Sequence, residues 1–315
     1  MDNNPVVSII CLTYNQEEFV RDCLDGFLAQ KTDFPIEILI YDDASTDSTP
    51  EIIREYAEKR PDVFKPTFYT TNNYSQGLGF VGLYTGIKEA RGKYVAYCEG
   101  DDYWTDPCKL QKQVAFLDAN PQFAICAHET SIRDNSDSYR VFRDLHKDSF
   151  VPLNKDTYTF EDALAGNLFH VSSMMYRNKG LCLPSWISRV SACDMVLFKM
   201  LAREGDIYVI PDIMSVYRDH SDSLTNSSNE YSSAIRFYEL SIKVLRLLNR
   251  YWEREHQALI YPLVSRYYVE CALASVHGKS LVNTKAKEAS VLSWHYDKRT
   301  SFKYLLKGLI KKIIH

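Results

Sequence analysis

Three acidic side chains fall within four residues in Cys98-Glu99-Gly100-Asp101-Asp102-Tyr103-Trp104, at the end of the apolar run Lys93-Cys98. Glu99, Asp101 and Asp102 repel one another, and such a cluster is tolerable when a divalent cation takes up the charge. Hard oxygen ligands with no His or Cys alongside favour Mg²⁺ or Mn²⁺ over zinc. The bland alternative is a solvated acidic turn; Tyr103 and Trp104 weigh against it, because they would bury a turn that needs water. A second pair lies in Tyr41-Asp42-Asp43-Ala44-Ser45-Thr46-Asp47-Ser48-Thr49. Adjacent carboxylates at a strand end can accept from a base N–H and a ribose hydroxyl, whereas capping the next helix needs only one of Asp47, Ser48 or Thr49. A third segment, Ser8 to Asn15, is an apolar run that ends in small polar residues, and in open α/β sheets that edge is where ligands bind.

The elements that must position these groups alternate. Strands are predicted over Val6-Leu12, Ile36-Tyr41, Thr67-Thr71, Lys93-Cys98 and Phe123-His128, with helices over Glu17-Gln30, Pro50-Lys59, Phe80-Ala90 and Pro107-Ala119. That is the pattern of an α/β fold with a mostly parallel sheet flanked by helices. Residues 131–155 carry neither period and read as a loop. Further on, Tyr158-Gly166 and Ala192-Arg203 read as helices, and Phe169-Tyr176, Ile207-Ile210 and Met214-Tyr217 as strands. A Ser/Asn-rich linker follows Ser221, and then two helical stretches, Ala234-Arg254 and Ala258-His277, form a helical C-terminal appendage.

Composition narrows the function classes. The 315 residues are 45% hydrophobic and 25% charged, enough for a large core, and the formal net charge of -4 provides no global basic field for nucleic acid. The start Met1-Asp2-Asn3-Asn4-Pro5 has no signal-peptide pattern and no stretch reaches a membrane span, so a cytoplasmic protein is expected. The eight cysteines form no metal-spaced cluster and read as buried free thiols.

In these residues the chain resembles the family 2 glycosyltransferases with the GT-A-type nucleotide-sugar-binding fold. Thr13-Tyr14-Asn15 is similar to the family's opening strand end, Asp42-Asp43-Ala44-Ser45-Thr46-Asp47 to its Asp-Asp-Gly-Ser segment, and Glu99-Gly100-Asp101-Asp102 to its Asp-x-Asp metal motif. The run Glu99 to Gln113 resembles a bacterial subgroup that builds surface polysaccharides. The resemblance covers residues 6–226, which implies a catalytic domain over 1–226 and a helical region over 227–315. It places Thr13, Asn15, Glu17, Asp42, Asp43, Glu99 and Asp101 at the nucleotide-sugar donor, and Asp101 and Asp102 at Mn²⁺ or Mg²⁺. Cys193-Asp194-Met195 resembles the segment that supplies the catalytic base; the alternative for Asp194 is a helix N-cap. Tyr217-Arg218-Asp219-His220 resembles a segment whose His completes the metal shell; the alternative is a surface histidine. Ala44, Glu99 and Tyr84 depart from the family's Gly, Asp and Asn. The implied activity is metal-dependent, inverting transfer from a nucleotide-diphosphate sugar, commonly a UDP-sugar, to a glycan or lipid-linked acceptor. A catalytically inactive relative serving as a binding or scaffold module is the alternative.

Two other signals need a reading. Gly77-Leu78-Gly79-Phe80-Val81-Gly82 fits the dinucleotide fingerprint G-x-G-x-x-G, but residues 72–76 separate it from the nearest strand. A nucleotidyltransferase would need a Gly-rich, basic loop after the first strand, which Thr13 to Glu17 does not offer. At the C-terminus, residues 301–315 alternate Leu and Ile with Lys303, Lys307, Lys311 and Lys312 at helical spacing. Such a basic amphipathic helix either lies on the inner face of an anionic membrane or docks on protein.

Overall fold

Strand β1 (Val7–Thr13) opens an alternating series: α1 (Val20–Leu28), β2 (Ile36–Asp42), α2 (Thr49–Lys59), β3 (Phe64–Phe68), α3 (Val81–Glu89) and β4 (Tyr94–Glu99). Then come β5 (Tyr103–Trp104), α4 (Lys109–Ala119), β6 (Phe123–Asp134), β7 (Tyr139–Val141) and α5 (Phe142–Leu145). The series continues through β8 (Thr157–Tyr158), α6 (Phe160–Ala165), β9 (Met175–Arg177), α7 (Cys193–Ala202) and β10 (Asp206–Asp219). The computed structural model describes residues 4–145, 151–220, 230–277, 293 and 296–301. It divides into two units, Met1–His220 and Ser221–His315.

The strands form one sheet in the order β3-β2-β1-β4-β9-β6-β10-β5, with β7 on β6 and β8 on β10. The long pairings are parallel and the antiparallel ones short. From β1 the chain winds to β2 on one side and to β4 on the other, so a crevice opens at the carboxyl ends of these strands. The register puts Thr13 opposite Asp42 and Leu12 opposite Glu99, which gathers the ends of all three strands at that crevice.

Both faces of the sheet are covered. Val7, Ile9 and Cys11 pack in one core with Val20, Cys23, Leu24 and Phe27 of α1. On the other face α3 lies directly on the sheet: a Cβ at Gly82 would come 2.8 Å from Leu12 Cδ2 and from Tyr41 Cβ. Gly77, at φ +75, ends a 3-10 turn over Tyr74–Gln76. Turn closure and helix–sheet contact therefore account for these glycines, without a bound dinucleotide.

Several predicted bounds shift for tertiary reasons. β3 lies three residues before Thr67-Thr71. β6 runs on to Asp134, and β7 and α5 follow, where a loop was predicted; pairing with β10 and β7 organises a segment whose own pattern is aperiodic. Ile207-Ile210 and Met214-Tyr217 are parts of one strand, β10, with register shifts between Ile210 and Ser215. The strand predicted over Phe169-Tyr176 is a 3-10 turn, Val171–Ser173, followed by β9. α6 begins only at Phe160, after a capping box at Thr159. None of the eight cysteines is in a disulfide; Cys182 is exposed and Cys108 half-buried, the others buried.

In the second unit α8 (Glu230–Tyr251) and α9 (Gln257–His277) are the long helices. The buried hydroxyls of Ser265, Ser293 and Ser301 bond one another there, 2.6–3.0 Å apart. Among the described residues no helix is long and apolar enough to cross a membrane. The predicted linker at 221–229 and amphipathic segment at 302–315 lie outside the described residues.

Candidate active site

The loops after β1 and β2 are laced together. Asn15 N–H donates to Ser45 Oγ (2.9 Å), and Asn15 Oδ1 accepts from Thr46 N–H (2.8 Å). Gln16 N–H donates to Thr49 Oγ1, Glu17 N–H to Asp47 Oδ2, and Ser48 N–H to Glu17 Oε2. Asp42 is buried and accepts from Thr13 Oγ1 (3.0 Å), Ser45 N–H (2.9 Å) and Ser45 Oγ (2.6 Å). Asp43 accepts from Asn73 N–H, Asn73 Nδ2 and Tyr74 N–H. The structure thus brings Thr13, Asn15, Glu17, Asp42 and Asp43 together, with their polar groups already engaged in a preformed cradle. Asp42 fixes the loop from beneath, while Asp43 ties it to the turn at Tyr74–Gln76.

The end of β4 reaches the same cradle. Gly100 N–H donates to Leu12 O (3.0 Å), and a Cβ at Gly100 would come 2.5 Å from Gln16 Oε1 and 2.6 Å from Thr13 Cγ2. Only glycine lets the acidic turn lie this close to β1. One ligand atom from each of Glu99, Asp101 and Asp102 lies within 4.8 Å of the others. Burial first, then the charges of Asp101 and Asp194, push the Glu99 carboxyl up to about 8. Tyr97 OH donates to it at 3.0 Å. Asp102 is fully buried, and burial followed by Asp101 holds it well above the usual carboxylate range. Among the described residues Asp101 Oδ1 and Asp102 Oδ2 are buried without a hydrogen-bond partner. Orphaned carboxylate oxygens in a tight acidic cluster fit a hard divalent cation.

β10 returns to this cluster. His220 Nε2 lies 3.2 Å from Asp101 Oδ2, and Arg218 N–H donates to Asp102 Oδ1 at 3.1 Å. His170 Nδ1 stands 3.7 Å from Asp102 Oδ2. Asp194 is in the first turn of α7, with Ala192 at the capping position, so the N-cap reading of Asp194 does not hold. Burial raises its pKa against the lowering effect of the N–H groups of Met195 and of Asp194 itself, and its charge is felt at Glu99 and Tyr97. Arg218, Tyr97 and His170 escaped the sequence reading. Arg218 alone carried a signal, its place beside His220; the others meet the site only through sheet pairing.

Residues 8–181 match the family described as Glycosyl transferase family 2. An uncharacterised Mycobacterium tuberculosis protein is 39% identical over 242 residues, which span 74% of this chain and 64% of that relative. The chain thus covers less than two thirds of that protein's length. TuaG of Bacillus subtilis, named for teichuronic acid biosynthesis, is 25% identical over 77% of this chain and 90% of its own. The fold is similar to that of S. aureus TarS, solved with UDP (TM-score 0.52, 18% identity, 96% of this chain and 91% of that one). It is also similar to a Pyrobaculum calidifontis mannosyltransferase solved with GDP-Man and Mn²⁺ (TM-score 0.54, 19% identity, 98% and 87%). With its GT-A-type sheet and its match over most of the first unit, the chain belongs to glycosyl transferase family 2.

Proposed function

We propose that this chain transfers a sugar from a nucleotide-diphosphate sugar, in the first instance a UDP-sugar, to a hydroxyl of a glycan or lipid-linked acceptor in surface-polysaccharide synthesis. The observation that carries the reading is the pair of buried oxygens that accept no hydrogen bond among the described residues, Asp101 Oδ1 and Asp102 Oδ2, set beside the β1 and β2 loops. Glu99, Asp101 and Asp102, with His220 adjacent, would hold Mn²⁺ or Mg²⁺, which supplies positive charge to the departing diphosphate. Thr13, Asn15, Glu17, Asp42 and Asp43 shape the nucleotide side of the crevice. Asp194 accepts the proton of the acceptor hydroxyl as its oxygen bonds to the anomeric carbon and the bond to the diphosphate breaks. General-base assistance of this kind contributes ~10²–10⁴-fold. With no second carboxylate assigned as a nucleophile, the reaction is a single displacement that inverts the anomeric centre. The ligands of the two structural neighbours, UDP and GDP-Man with Mn²⁺, and the name of TuaG support the donor, the cation and the acceptor class. The enzyme acts at the cytoplasmic side of the membrane, with residues 301–315 as the contact to a lipid-borne acceptor.

The test is the unfolding midpoint of the full chain, of Asp101→Asn and of Asp194→Asn, against UDP and GDP sugars with Mn²⁺, Mg²⁺ or chelator. A ligand at a hundred times its Kd stabilises the fold by about 2.7 kcal/mol. A metal-dependent rise with one nucleotide is expected for the wild type and Asp194→Asn and is lost in Asp101→Asn, with sugar transfer lost in both variants. A wild type that unfolds cooperatively and shifts with none of these ligands is an inactive scaffold.

A further inference from the structure

We infer that Arg218 is a positioning residue for the candidate cation site and acts through Asp101 and Asp102; the inference rests on the metal reading above. Its side chain is 7% exposed, and it leaves the end of β10 toward the turn that carries the two carboxylates. Nη1 donates to the backbone carbonyl of Asp101 at 2.7 Å, and Nη2 pairs with Asp22 on α1. The backbone N–H of the same residue holds Asp102 Oδ1 at 3.1 Å. The guanidinium carbon lies 4.3 Å from the centre of the Tyr103 ring and 5.3 Å from that of Phe19. Phe19 in turn packs on His220 at 4.8 Å.

A cation next to a divalent-cation site is electrostatically unfavourable, so its presence needs a reason. Asp22 and the two ring faces accommodate the charge, and the planar fork reaches two acceptors that a single ammonium cannot bridge. The fork donates to the Asp101 carbonyl and leaves Asp101 Oδ1 and Asp102 Oδ2 unspent. Arg218 thereby fixes the backbone that aims the ligands while the ligand atoms themselves stay open.

Arg218→Lys keeps the charge and removes the fork, which separates geometry from electrostatics. Asp22→Asn, at a carboxylate that is 60% exposed, loosens the anchor of the guanidinium without opening the core. The measurement is the Mn²⁺ Kd, read from the paramagnetic signal of free Mn²⁺, with the unfolding midpoint in chelator recorded for each variant. Arg218→Lys is expected to weaken Mn²⁺ binding about tenfold or more and Asp22→Asn by less, since groups that orient metal ligands typically contribute on that scale. A purely structural arginine would lower the midpoint and leave the Kd of the folded protein alone. Should Arg218→Lys fail to fold, Asp22→Asn decides. Unchanged Mn²⁺ affinity in the folded variants overturns the role of Arg218 while the metal reading stands. A wild type that binds no Mn²⁺ overturns both.

Discussion

Ala44 sits at φ +61 in the loop after β2. A left-handed backbone costs an L-residue about 1–2 kcal/mol, and glycine in the same place forfeits about 0.5–1 kcal/mol of unfolded-chain entropy. The difference favours glycine, so Ala44→Gly is expected to raise stability by about 0.5 kcal/mol in urea unfolding; a loss of that size would show that the methyl group packs usefully. Asn15, at φ +51, suits its position better, because its side-chain oxygen accepts from Thr46 N–H. This scale also shows what a sequence exposes of a site. Glu99, Asp101 and Asp102 are legible because they fall within four residues with no basic residue among them. That Asp42 is buried under Thr13 is not legible, since Thr13 lies 29 residues away and only the register of β1 against β2 brings it there.

At the scale of the element, α4 buries a lysine that its helical pattern does not mark as internal. Lys109 Nζ lies 3.9 Å from the centre of the Trp104 ring and donates to Gln113 Oε1 at 2.8 Å. Gln113 Nε2 donates onward to the carbonyls of Cys126 (2.7 Å) and Ser173 (2.8 Å), which ties α4 to β6 and to the turn at Val171–Ser173. Burial pulls the Lys109 pKa down to about 7. In the unfolded chain it lies near 10.4, so between about pH 7 and pH 10 the unfolded state holds a proton that the folded state lacks, and stability rises with pH. Lys109→Met removes this contribution. Wild type is therefore expected to gain on the variant by as much as about 1.4 kcal/mol per pH unit in that window. Denaturation of both proteins at pH 7, 8 and 9 checks it, and parallel profiles would mean that Lys109 stays charged in the fold. The same context dependence separates the predicted elements from the observed ones. α2 and β2 are nearly self-evident from local pattern and capping residues, while β7 and the last third of β6 exist through their neighbours.

For the molecule as a whole, the winding order decides where the chemistry is. β1, β2 and β4 end together because the chain passes to either side of β1, and every candidate residue from Thr13 to His220 belongs to the unit Met1–His220. That unit has its own sheet and core, the attributes of a domain that can fold independently. Residues 1–220 expressed alone are therefore expected to unfold cooperatively and to show the same midpoint gain with Mn²⁺ and nucleotide as the full chain. Transfer to a lipid-linked acceptor, if the helical region delivers it, is lost in the same fragment. Titrating nucleotide into both proteins and assaying each with a free glycan and with a lipid-linked acceptor separates the two contributions. A fragment that folds but has lost the nucleotide response would mean that residues beyond His220 complete the donor site, and the division of labour between the units would have to be redrawn around it.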